Sequence, residues 1–140
     1  MKKVCRASLS VFLAVIVLCM GAIHAFATDE GISTYLTNCN DITISFGVSD
    51  SVASFYVSYT GREETFTQAK LTVQVQKQFL GLFWRDAADE WVGYCTEIRG
   101  DFYDYIPVDG HGTYRAVFEL EVRGNTGRVD VIEDTIEYIY

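Results

Sequence analysis

The chain has 140 residues and a formal charge of −8, with 19 acidic side chains against 11 basic ones. Such a length suits one domain of ordinary size. The acidity sets the chain against partners that are themselves anionic, which argues against nucleic-acid backbones and anionic lipid head groups as ligands.

The first 27 residues read as an address. Lys2, Lys3 and Arg6 give a basic start, and Val11 to Ile23 form an uncharged apolar run. Ala25-Phe26-Ala27 then offers the small residues that a signal peptidase reads. The run falls short of the roughly 20 residues that a bilayer crossing needs, so cleavage after Ala27 is expected in place of a retained anchor. Cys19 follows Leu18, where a lipoprotein signal needs a small side chain, and counts as an apolar residue of the leader. Domain boundaries are therefore 1–27 for the signal peptide and 28–140 for the folded part. The expected location is secreted and extracellular, with no membrane span after cleavage. The leader carries three basic residues and no acidic one, which leaves eight basic against nineteen acidic, a charge of −11. Acidity of this kind also keeps a secreted domain soluble.

Cys39 and Cys95 lie beyond the leader. Outside the cell, two thiols in a small domain more often pair than stay free, and a disulfide between them is expected. The closed loop would be long, worth roughly 4 kcal/mol in the chain-entropy model. Two cysteines with His111 as the available nitrogen donor make a poor zinc site.

The remainder reads as strands and turns in chain order. Ile42, Ile44, Phe46 and Val48 alternate with polar residues, the pattern of a half-buried strand, and Ser49-Asp50-Ser51 signals a turn. Ala53, Phe55, Val57 and Tyr59 alternate again before the break at Gly61 to Glu64. Leu71, Val73 and Val75 face one way, with Lys70, Thr72, Gln74, Gln76 and Gln78 opposite them. After Gly81 a short apolar strand resumes at Leu82-Phe83-Trp84, followed by an acidic turn from Asp86 to Glu90 and a strand from Trp91 to Ile98. Trp91 and Phe83 are expected to pack in the core. Gly100 to Gly112, rich in Asp, Tyr and Gly, is expected to be a long loop. Tyr114 to Val122 alternates over a long strand, Gly124 to Gly127 turns it, and Val129 to Tyr140 closes the chain. Seven short strands with turns between them predict an all-β fold, an antiparallel Ig-like β-sandwich.

Gly110-His111-Gly112-Thr113-Tyr114 stands just before the second-to-last strand. In Ig-like sandwiches a tyrosine at this place bonds back to the preceding backbone, and Tyr114 resembles that tyrosine corner. Ala116 stands where antibody domains carry a cysteine, so the resemblance is to the wider group of Ig-like and fibronectin-III-like sandwiches. The chain also resembles short secreted proteins of Gram-positive bacteria, through its leader, Gln76 to Trp84, Gly112-Thr113-Tyr114-Arg115 and the terminal tyrosine. That resemblance implies fold and location, and no assigned activity.

Catalytic chemistry finds little support. His111 lies between two glycines, a setting in which a histidine is usually a solvated turn residue. No Gly-x-Ser-x-Gly elbow occurs. Asp86 with Glu90, or Asp101 with Asp104, could serve glycoside hydrolysis in a deep cleft, which small sandwiches rarely build. Asp86, Asp89 and Glu90, and again Asp101, Asp104 and Asp109, could crowd calcium, yet neither run fits a known calcium loop and each reads better as a solvated turn. Neither an enzyme, a cofactor nor a metal is expected. The strongest candidate is Phe102-Tyr103-Asp104-Tyr105, where Phe102, Tyr103 and Tyr105 would meet a ligand from a loop on a rigid sandwich. The expected function is a non-enzymatic binding module for an extracellular protein, with a carbohydrate-binding module as the alternative. A row of exposed rings on one face would favour sugar, and a protruding aromatic loop would favour protein.

Overall fold

The computed structural model describes residues 36–140. The expected signal peptide, 1–27, lies outside the described residues. Eight strands follow in order: β1 Cys39–Ser49, β2 Val52–Gly61, β3 Phe66–Phe79, β4 Phe83–Asp86, β5 Trp91–Cys95, β6 Arg99–Pro107, β7 Thr113–Gly124 and β8 Val129–Ile139. They form two antiparallel sheets. One is three-stranded in the order β1-β2-β6. The other runs β4-β3-β7-β8, with β5 also paired to β3. β4 takes the far end of β3 and β5 the near end, so the two short strands share one edge.

Alternation builds the core. Ala53, Phe55, Val57 and Tyr59 of β2 turn inward, as do Ala69, Leu71, Val73 and Val75 of β3. Tyr114, Ala116, Phe118, Leu120 and Val122 of β7 complete the facing layer. Register keeps the large side chains on one side of the pleat: Leu71 pairs with Leu120 and Val73 with Phe118. Phe55 meets Phe118 edge-on across the sheets at 6.2 Å, and Trp91 at 5.0 Å. Burying one such aliphatic or aromatic side chain contributes about 1.5–3 kcal/mol. The result is an all-β fold of sandwich type; among the described residues no helix is long and apolar enough to cross a membrane.

Polar groups close the ends. Asn38 is fully buried just before β1. Its backbone N–H donates to the Asp130 carboxylate at 2.6 Å, and its side-chain amide to the carbonyls of Val122 and Arg128. These bonds tie the start of the domain to the β7–β8 turn. Asp50 and Ser51, both with positive φ, make the two-residue turn that joins β1 to β2.

Two sequence expectations are corrected here. The segment expected to be a loop, Gly100 to Gly112, is mostly strand β6, with only Val108 to Gly112 left as a loop. Its polar residues misled because the outward face of the strand carries Asp101, Tyr103 and Tyr105, while the inward face includes an aspartate, Asp104. The expected Cys39–Cys95 disulfide is not formed; both cysteines are free. Cys39 is buried on β1, with its thiol directed at the carbonyls of Asp41 and Thr60 of its own sheet. Cys95 ends β5 on the other sheet, over Gly100, where a side chain at Gly100 would collide with both its sulfur and the Tyr59 hydroxyl. Burial pushes the Cys39 thiol above its ordinary pKa.

Candidate functional site

The outward face of the three-stranded sheet gathers the exposed rings. Strand alternation separates the three residues singled out from the sequence. Tyr103 and Tyr105 point to solvent, 66% and 69% exposed, whereas Phe102 points the other way and is buried at 6%. Phe102 packs on Tyr59 at 5.8 Å and on Trp91 at 6.0 Å, so it is a core residue, on the face of β6 opposite to Tyr103 and Tyr105.

Register supplies the partners that sequence reasoning missed. Tyr103 stands directly opposite Tyr56 of β2, and Tyr105 opposite Ser54. Tyr56 in turn faces Ser45 of β1, and Ser54 faces Gly47. Tyr56, Tyr103 and Tyr105 therefore share one face with a floor of small residues. Ser45, Gly47, Ser54 and the three tyrosines line a shallow groove of about 400 Å³. Tyr56 carried a signal in the sequence, since it occupies the polar phase of an alternating strand, yet an outward tyrosine gains meaning only beside Tyr103.

Asp101 and Asp104 organise this face. Tyr56 donates its hydroxyl to the Asp101 carboxylate at 2.9 Å, and that bond holds the phenol above its ordinary pKa. Asp104 turns inward and accepts the indole N–H of Trp91 at 2.7 Å; its other oxygen accepts the backbone N–H of Tyr105 at 2.7 Å. One carboxylate thus fixes β6 against β5 and sets the backbone that carries Tyr105. Rings on a rigid strand offer contact area at little entropic cost. Hydroxyls and a carboxylate beside them supply hydrogen bonds. The chemistry on offer is recognition by stacking and hydrogen bonding.

The remaining candidates are dispersed. His111 stacks on Tyr140 with ring centres 4.4 Å apart, and neither residue lines the groove. Asp86 accepts from Gln76 on the five-stranded sheet, and Asp109 offers its backbone carbonyl to Tyr114. Among the described residues no group of three or more His, Cys, Asp or Glu could hold a metal ion. Tyr114 is fully buried, and its hydroxyl lies 2.7 Å from the carbonyls of both Asp109 and Gly110, in the loop before β7. Trp91 is half-buried in the core as its periodicity predicts. Phe83 is not; it is 61% exposed, because β4 pairs with β3 beyond the stretch that faces the other sheet.

No known protein-family model matches this chain, and no curated protein matches its sequence.

Proposed function

We propose that the chain is a secreted, non-enzymatic binding module, and that its ligand is an extracellular protein held across the tyrosine-bearing face of β1, β2 and β6. One observation carries this: Tyr56, Tyr103 and Tyr105 stand exposed side by side over Ser45, Gly47 and Ser54. Tyrosine with serine and glycine is the composition of adaptable protein-binding surfaces, where rigid rings anchor and small polar residues conform. The leader and the acidic balance support release from the cell, as in the Gram-positive secreted proteins that the sequence resembles.

Strand order supports an Ig-like sandwich. Strands β1, β2 and β6 take the places of A, B and E, and β3, β7 and β8 those of C, F and G. β4 and β5 then occupy the outer edge of the C strand, where variable-type domains add strands. Tyr114 on the F-like strand with its bond to Asp109 fits the same plan.

A carbohydrate is the second reading. It is favoured by the groove itself, in which hydroxyls of Ser45, Ser54 and Tyr56 lie beside the tyrosine rings. Sugars are held by such a pairing of stacking with hydroxyl bonding. Arrays of immobilised extracellular proteins and of glycans separate the two readings. Capture of proteins that resists competition by free oligosaccharides supports the first, and capture of glycans abolished by those sugars supports the second. Capture of neither class by the folded parent contradicts both.

A further inference from the structure

We infer that the β3–β4 hairpin is a lipid finger, which seats the protein on a bilayer surface through its apolar tip. This surface is distinct from the tyrosine face and does not depend on that reading.

The hairpin projects beyond its sheet. β7 pairs with β3 only as far as Lys77, so Gln78 and Phe79 are held by β4 alone. The turn itself is Leu80-Gly81-Leu82, closed by the Leu82 N–H donating to the Phe79 carbonyl at 3.1 Å. Four large apolar side chains crowd this tip with solvent around them: Phe79, Leu80, Leu82 and Phe83, with Leu80 76% and Leu82 74% exposed. An apolar cluster of this kind at an exposed extremity marks an interaction site.

The turn is also strained in a telling way. Leu80 has a φ of +53° and Gly81 one of +67°. Asn or Gly suits both positions of such a turn, and a leucine in the left-handed region costs about 1–2 kcal/mol. An exposed leucine gains no packing here that would offset this cost.

Successive rungs of the hairpin follow the layering of a bilayer interface. The turn is aliphatic. Behind it Phe79 pairs with Phe83, then Gln78 with Trp84, then Lys77 with Arg85. Tryptophan at the level of the head groups, with Lys and Arg at the phosphates, is the order that membranes select. The turn and its first two rungs reach roughly 10 Å at 3.3 Å per residue, against the 5–10 Å to which interfacial elements insert. Lys77 stands directly opposite Arg85, but its ammonium donates to the Asp109 backbone carbonyl, which leaves Arg85 as the cation of this rung for head-group phosphates. Arg115 adds a further cation, stacked over Trp84 at 4.3 Å, while Arg85 lies over the Phe79 ring at 4.1 Å. Asp86 is the acidic side chain of β4, and its carboxylate accepts from Gln76. The chain's overall acidity acts weakly at this end, since solution charges are screened beyond about 8 Å at physiological salt. A convex tip needs a matching pocket on a protein, whereas a bilayer accepts it as it is.

The full chain and its Leu80→Asp/Leu82→Asp variant are compared on vesicles of phosphatidylcholine with a minority of phosphatidylglycerol. Both carry the same N-terminal apolar run, so the difference isolates the tip. The parent should partition at least about tenfold more strongly than the variant. Acyl chains brominated near the head group should quench its Trp84 emission, and a Trp84→Phe chain should lack that quenching. Leu80→Asn/Leu82→Ser is the second variant, with a residue suited to the turn, and should lose the same partitioning while folded. Equal partitioning of parent and folded variants overturns the inference, as does binding without Trp84 quenching. Loss of a protein ligand by the variants, with vesicle binding intact, also overturns it and makes the tip a protein contact.

Discussion

The indole N–H of Trp91 on β5 donates to the carboxylate of Asp104 on β6 at 2.7 Å, joining the two sheets through a polar bond inside an apolar layer. Both residues sit among aromatic rings, with Trp91 edge-on to Phe55 and Phe102. The same aspartate holds the backbone of Tyr105, so the bond that closes the sandwich also orients the candidate binding face.

Asp104→Ala should therefore destabilise the fold by about 1.5–3 kcal/mol, since a charged acceptor is lost and the indole N–H is left without a partner. Trp91→Phe should remove the same bond, leave the Asp104 carboxylate short of a donor and lose packing besides. Urea unfolding measures both. An unchanged midpoint for Asp104→Ala would mean that the bond contributes nothing in solution.

Cys39 and Cys95 should both react with a thiol reagent without prior reduction, and at different rates. Cys95 is half-buried and should label first. Cys39 is buried, with a pKa raised by that burial, so little thiolate is present for attack. Mass analysis after short exposure should show Cys95 modified and Cys39 intact. Resistance of both until reductant is added would show a disulfide.

Alkaline pH should destabilise the domain through Tyr59. Its hydroxyl donates to the Glu97 carbonyl at 2.7 Å, and burial pushes its pKa well above the ordinary 10.0. A group raised on folding contributes stability that is full below its unfolded value and is lost as pH rises through the folded one. The domain should hold its stability to about pH 9 and lose it progressively above the ordinary phenol value of 10.0. Cys39 acts in the same direction. Tyr59→Phe should flatten the alkaline loss, and an equally steep loss in that variant would assign it to other groups.

Leu80→Asn should stabilise the protein by about 1 kcal/mol, because asparagine tolerates the left-handed backbone that leucine resists. A raised midpoint together with weaker vesicle partitioning would show a residue kept at the expense of stability. A lowered midpoint would remove strain as an explanation for this turn.

Most strands were legible because one face of each is buried. Alternation located β1, β2, β3, β7 and β8 to within a few residues, and Asp50-Ser51 marked the first turn. β6 was not legible, for a physical reason. Asp104 occupies an inward position that periodicity assigns to an apolar residue, and only the Trp91 indole, remote in sequence, satisfies it. The phase of that strand was then lost, and with it the split between buried Phe102 and exposed Tyr103 and Tyr105. Tyr56 escaped notice because its neighbour in the site, Tyr103, is brought there by pairing between β2 and β6. Phe83 misled for the opposite reason: its apolar run is real, but it extends past the edge of the core.

The affinity of the first captured ligand for the parent and for Tyr103→Ala/Tyr105→Ala, measured beside their unfolding midpoints, tests the tyrosine face most directly. Both rings point outward, so the double variant should keep its stability to within about 1 kcal/mol. Affinity should fall by at least about tenfold for each ring removed, as it does where aromatic anchors carry an interface. A folded double variant that holds its ligand with parental affinity would contradict the account. So would a stability loss of several kcal/mol, which would make the two tyrosines part of the fold and not of a binding surface.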